Sequence, residues 1–467
     1  MSGAGGSGMG TPTGDRRRAV VTLPRAFVPV AAPVSTERFP GVLTSAALLF
    51  ALPFFAQSFY YLHELTVPYL LSKAWPLLAL PLSLYAVVRL QLPAKRFYLV
   101  FLAYALGFTP FVSMLQLGNG LVDALITTVK VWPLTYYFGL SALLVWLAPS
   151  YGRTRGSLVV LGAGTFALML ALWLVVPTSW YVNDPELGKL FMLETERGYR
   201  IYMPMFFGTL FLFYLTRRFM QRPNLLLPLA ILLGFVLLFS IYKQRTAIGG
   251  MMLVCIYAVG VSLAPRLRLL VAGLFLAVVP LGLAYLVLRD VEGLAQSLGG
   301  SLSVRQVSLG LAANFLGDDP WRWLFGVGAT TRFGSITLAD IFGNSNFYVA
   351  DLGWFGIVFE YGLVGAVLLA GLYGWGYFTL LRSTRGVEDP MVLALSDYIL
   401  YMLATSAVYS LVFTPGEFAV VMALAIYLSR ARYRQPSTPA PAHRISFTVN
   451  RHQIRTRNAA ARRQTVA

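Results

Sequence analysis

The chain has 467 residues, of which 57% are hydrophobic and only 12% charged, and its mean hydropathy is +0.67. Soluble domains carry roughly 25% charged residues, so this composition excludes a soluble globular protein and specifies an integral membrane protein. The net charge of +18 does not indicate nucleic-acid binding, because the arginines concentrate in the two terminal tails; basic residues there mark the cytoplasmic side of a membrane and meet anionic lipid.

In chain order, residues 1–40 are Gly, Pro, Thr and Arg without an apolar signal-peptide core, and read as a disordered basic cytoplasmic tail. Apolar runs follow at about 41–60, 70–90, 97–115, 131–149, 157–177, 201–216, 225–242, 246–264 and 269–288, then at 362–381, 391–412 and 418–429. A span needs roughly 20 mostly apolar residues, and runs that are continuous rather than alternating favour helices over a barrel. Lys95 and Arg96, Arg153 and Arg155, Arg217, Arg218 and Arg222, Arg266 and Arg268, and Arg382 and Arg385 fall in alternate connections. Asp184, Glu186, Glu194, Glu196, Asp290, Glu292, Asp318, Asp319, Asp340 and Asp351 fall in the others. Basic connections lie inside. The pattern predicts an all-α polytopic membrane protein of about twelve transmembrane helices, both termini cytoplasmic, with a large periplasmic loop between spans nine and ten. The membrane body covers 41–430, that loop 290–361, and a second disordered basic tail 431–467.

The loop carries a predicted amphipathic helix over 302–316, with Leu302, Val304, Leu309, Leu311 and Phe315 directed to the bundle, then DDPWRWLFGVG and an aromatic-rich stretch. Arg245, in YKQRTAIGG, stands at a membrane edge, where a guanidinium suits an anion; the competing structural reading is an interfacial arginine reaching to lipid headgroups. Arg305, on the loop helix, is a second phosphate-binding candidate or else a solvated surface arginine. The glycines of FGVG permit tight turns, a weak sign of a phosphate loop. Asp351 and Glu360 bracket the return to the membrane in DLGWFGIVFEYGLVG, each a candidate general base or a structural partner for an arginine. His63 reads as structural, Cys255 as a packing residue inside a span, and Asp397 as the main charge within a span. There is no metal-ligand spacing, nucleotide loop or Ser-His-Asp signature, so neither metal nor cofactor is expected.

KQRTAIGG, RQVSLGLAANFLGDDPWRWLFGVGATT and DLGWFGIVFEYGLVG, in that order and placement, resemble motifs of the O-antigen polymerase/ligase superfamily (Wzy/WaaL-like), integral-membrane glycosyltransferases of bacterial envelopes. The resemblance spans about 230–381 at motif level and the whole chain in topology. It implies transfer of an undecaprenyl-diphosphate-linked glycan to an acceptor hydroxyl on the periplasmic face of the inner membrane, without metal or nucleotide. Arg245 and Arg305 would hold the diphosphate and Asp351 would complete the catalytic set. Arg200, Arg322, Trp321, Tyr348, Trp354 and Glu360 would contact substrate, with Trp323 and Phe347 as further sugar-stacking candidates. Membrane-interface anchoring is the competing role for those aromatics. The implied partners are the lipid-linked oligosaccharide, membrane lipids, and chain-length regulator and export proteins, not nucleic acid. The ligase branch carries a His-Asn pair about where this chain has Asp351 and Leu352, which favours a polymerase of surface-polysaccharide repeat units. An O-antigen ligase, a transporter or flippase of lipid-linked oligosaccharide, and a membrane scaffold of an export machine are the alternatives.

Overall fold

The computed structural model describes residues 39–184, 188–194, 197–263, 267, 300–328, 342–343, 347, 349–383, 389–410 and 414–434. Over these residues the chain is mostly helical. Helices lie at each expected apolar segment except 269–288, which falls outside the described residues, as do both tails. The first eight are α1 (Gly41–Phe55), α2 (Thr66–Leu78), α3 (Leu80–Arg89), α4 (Lys95–Leu102), α5 (Thr109–Leu117), α6 (Leu121–Thr127), α7 (Tyr136–Leu147) and α8 (Tyr151–Val175). A two-stranded antiparallel hairpin follows, β1 (Phe191–Glu194) and β2 (Gly198–Ile201). Then come α9 (Phe206–Gln221), α10 (Leu226–Leu237), α11 (Arg245–Ser262), α12 (Gly300–Leu316), α13 (Pro320–Phe325), α14 (Gly353–Ser383), α15 (Pro390–Thr405) and α16 (Pro415–Arg434).

Local chemistry explains where single runs become broken helices. The run at 70–90 is divided at Ala79, because Pro81 in the first turn of α3 offers no N–H to the preceding helix. A π-helical turn, Ala103–Phe108, joins α4 to α5. Asp319 caps α13 by accepting from Trp321 N at 2.9 Å, and Asp389 caps α15 by accepting from Met391 N and Val392 N at 3.0 and 3.1 Å.

Among the described residues five helical stretches are long and apolar enough to cross a membrane: Thr66–Arg89, Lys95–Leu117, Tyr151–Val175, Arg245–Ser262 and Val349–Arg382. Their outward faces, and that of α10, expose large apolar side chains such as Val160, Leu168, Leu174, Leu229, Leu232 and Leu233, which lipid would cover. Inside the bundle, α9 packs against α8, α10, α11 and α15, while α16 packs against α7 and α15. Aromatic rings fill the centre: Tyr98 stacks on Tyr137 with centroids 4.2 Å apart, and Tyr373 on Phe418 at 4.0 Å.

One expectation is corrected here. The sixth apolar run begins as strand β2, so its helix α9 starts later and extends to Gln221. Arg217, expected in an inner connection, therefore lies on α9, buried, and pairs with Asp397 of α15 through two bonds of 2.6 Å. The main charge within a span is thus half of an ion pair.

Candidate active site

The hairpin positions Arg200. Its register sets Arg200 opposite Met192 and on the same face as Glu194, so the guanidinium reaches Met192 Sδ at 3.3 Å and forms an ion pair with Glu194. Arg200 is only 6% exposed, yet its Nε and Nη1 have no hydrogen-bond partner. Lys243 Nζ donates to Arg197 O at 2.9 Å, which ties the hairpin to the connection between α10 and α11. That connection turns at Lys243, whose φ of 55° is left-handed, and then begins α11 at Arg245. Arg245 is exposed and, among the described residues, has no polar partner.

Tyr202 follows the hairpin, its ring 5.9 Å from the Arg200 guanidinium and within electrostatic reach of Tyr409 and Glu417. The Arg305 guanidinium lies 5.8 Å from the Tyr409 ring, and Asp351 is its electrostatic neighbour. Ser410 N donates to Ala350 O at 2.8 Å and so joins the segment bearing Tyr409 to the short 3₁₀ turn Val349–Leu352 bearing Asp351. Residues from the hairpin, α12, the 3₁₀ turn and the segment before α16 thereby converge on one end of the bundle. Tyr61, in the connection after α1, joins them. Burial, aided by Tyr60, Tyr202 and Glu417, holds its hydroxyl protonated well above the usual tyrosine range.

Helix α12 occupies the predicted place, and Leu311 and Phe315 pack against the buried cluster as expected. Leu309 is exposed, whereas Ser308, Ala312 and Leu316 are buried. These lie at helical spacing from Arg305, which accounts for the inward aim of that arginine and for its buried Nε, which has no hydrogen-bond partner.

Four expected substrate contacts are otherwise engaged. Glu360 is fully buried in an ion pair with Lys130. Arg322 donates through Nε to Gln116 Oε1 at 3.0 Å and through Nη1 to Phe315 O at 2.7 Å, fixing α13 beneath α12. Trp354 donates to Ser406 Oγ at 2.9 Å and packs on the core. Phe347 is buried in a cluster with Leu117, Ala312, Leu316, Val327 and Phe359. Trp321 is 63% exposed and stacks on Phe325, so it keeps a free face. Tyr348 lies outside the described residues.

The FGVG turn is not a phosphate cradle. Its backbone N–H groups are spent on the return helix: Val327 N donates to Phe359 O at 2.8 Å and Gly328 N to Glu360 O at 3.0 Å. Helix α14 breaks at Gly362, with φ 65° and ψ −179°, which frees those carbonyls. Tyr104 Oη donates to the next one, Tyr361 O, at 2.6 Å. A Cβ at Gly362 would lie 2.2 Å from Leu324 O, and one at Gly326 2.6 Å from Glu360 O. The glycines therefore allow two backbones to touch.

Sequence reasoning missed Lys130, Tyr202, Tyr409 and Glu417. The available signal for Lys130 and Glu417 was an ionisable residue at the edge of an apolar run, in TTVKVW and TPGEF. The tyrosines carry no such mark. Among the described residues no group of three His, Cys, Asp or Glu side chains could hold a metal. No family model matches the chain, and no curated protein matches it.

Chemically, the cluster offers two enclosed guanidinium groups with unused donors, phenol hydroxyls, and two carboxylates in different settings. Unused buried donors are costly unless an acceptor arrives. A diphosphate, with many acceptor oxygens and concentrated negative charge, matches them.

Proposed function

We propose that this protein is a membrane glycosyltransferase that polymerises a bacterial surface polysaccharide. It would transfer a glycan from undecaprenyl diphosphate to the hydroxyl of another lipid-linked repeat unit at the periplasmic face of the inner membrane. The observation that carries the reading is the pair Arg200 and Arg305, whose enclosed guanidinium groups retain unpartnered nitrogens on either side of Tyr202 and Tyr409. Arg200 and Arg305 would grip the diphosphate, and Arg245 would receive it at the lipid edge. As the bond from the anomeric carbon breaks, charge builds on the departing diphosphate. Fixed arginine donors stabilise that charge more in the transition state than in the ground state. Attack by the acceptor hydroxyl from the opposite side inverts the anomeric centre. Asp351, beside Arg305, is available to accept the proton or to orient the guanidinium.

The test is chain extension from purified lipid-linked oligosaccharide by the purified protein in vesicles. The wild type should build polymer, and Arg200→Ala and Arg305→Ala should each abolish it at unchanged membrane level. Movement of the lipid across the bilayer without extension would replace this reading with a flippase.

A further inference from the structure

Glu417 stands in the first turn of α16 and is held there by backbone contacts: Gly416 N donates to Gln57 Oε1 at 3.0 Å and Glu417 N to Thr414 O at 3.2 Å. Tyr398 Oη donates to Glu417 Oε2 at 2.8 Å. The carboxylate also lies within electrostatic reach of Tyr61, Tyr202, Tyr242, Tyr373 and Tyr401, which come from several different elements. Among the described residues no lysine or arginine pairs with it, and its second oxygen, Oε1, accepts from no protein group. The side chain nevertheless remains partly exposed. Asp351 differs in having a cation beside it, the guanidinium of Arg305.

We propose that Glu417 is the general base of the transfer and that Asp351 is a positioning residue for Arg305. The assignment rests on the glycosyl-transfer reading above. In the step, the acceptor oxygen forms a bond to the anomeric carbon while the bond from that carbon to the diphosphate oxygen breaks. The electron pair of the broken bond leaves with the diphosphate. The proton of the acceptor hydroxyl passes to Glu417 Oε1 and is then released to water. A carboxylate that no cation stabilises takes a proton more readily than one facing a guanidinium. Tyr398 fixes Oε2 and thereby directs Oε1, and Tyr202 lies within electrostatic reach of both the carboxylate and Arg200.

The experiment measures single-turnover extension and binding of the lipid-linked oligosaccharide for wild type, Glu417→Gln and Asp351→Asn in the same vesicles. Glu417→Gln should lower the rate by about 10²–10⁴-fold, the usual contribution of a general base, and leave donor affinity within about twofold. Asp351→Asn should weaken donor affinity and turnover together. Extension by Glu417→Gln at the wild-type rate overturns the base assignment while leaving the function intact; a wild type that does not extend at all overturns both. Should Glu417→Gln fail to fold, Tyr398→Phe decides. It removes one hydrogen bond to the charged carboxylate, so the acidic limb of the rate profile should move to higher pH. An unmoved limb rejects Glu417.

Discussion

Asp397 and Arg217 offer the sharpest test of the bundle's energetics. The two side chains are 1% and 9% exposed and share two bonds of 2.6 Å, a bidentate geometry. Arg217 Nη1 also reaches Ala258 O at 3.3 Å and Ser262 Oγ at 3.4 Å. Replacing Asp397 with Ala removes both charge-assisted bonds, worth about 1.5–3 kcal/mol each, and strands a buried cation. The two longer contacts recover part of this, leaving a loss of about 3–5 kcal/mol, as for other buried pairs with one partner deleted. The double variant Arg217→Met, Asp397→Leu strands nothing and should return close to wild-type stability. Unfolding of the detergent-solubilised protein, followed by circular dichroism for wild type, Asp397→Ala and the double variant, measures both differences. A loss below about 1 kcal/mol for Asp397→Ala, or a double variant no more stable than the single, refutes the reasoning.

Gly362→Ala should cost more than the roughly 1–3 kcal/mol of a backbone region open essentially to glycine alone, because its Cβ would press on Leu324 O, whereas Gly164→Ala, with open space at its Cβ, should be neutral or stabilising in the same unfolding assay. Glu360→Gln should destabilise by about 3 kcal/mol or more, since Lys130 would be left buried beside a neutral amide; an unchanged melting midpoint counts against the pair as a stabilising contact. Lys at position 305 should restore little activity to the Arg305→Ala variant if a fork of donors is required, measured as polymer length. A reporter fused after Gly188 should be active only as a periplasmic reporter, and a cytoplasmic signal there would reverse the assigned sidedness.

The helices were legible because lipid-facing and core-facing segments alike are continuous apolar runs, and their edges are marked by charge. The site was less so. Arg305 stood out as a cation on the loop helix, whereas Arg200 came only with the resemblance; of the helix's apolar residues Leu311 and Phe315 pack as expected, and Leu309, which looks like a core residue, is exposed. The partner of Glu360 lies 230 positions away at Lys130, a separation that no local pattern encodes. The boundary of α9 was misplaced because a short hairpin strand and the helix after it are both apolar, so composition alone does not separate them. FGVG looked like a ligand loop because glycine permits close approach of any partner; here the partner is the chain's own backbone.

The bonds that fasten FGVG to the break in α14 run between main-chain atoms, and Val327, Phe347, Val349 and Phe359 share one apolar cluster. Residues 329–341 lie in the sequence between two points of that one clasp, Gly328 and Phe342. Because closing a chain whose ends are already held together depends only weakly on its length, this stretch is a natural cassette. It could be shortened, lengthened or exchanged for a foreign sequence while the helices beneath keep their assembly. Diversification could then proceed by swapping a segment, with the clasp glycines as the fixed joints.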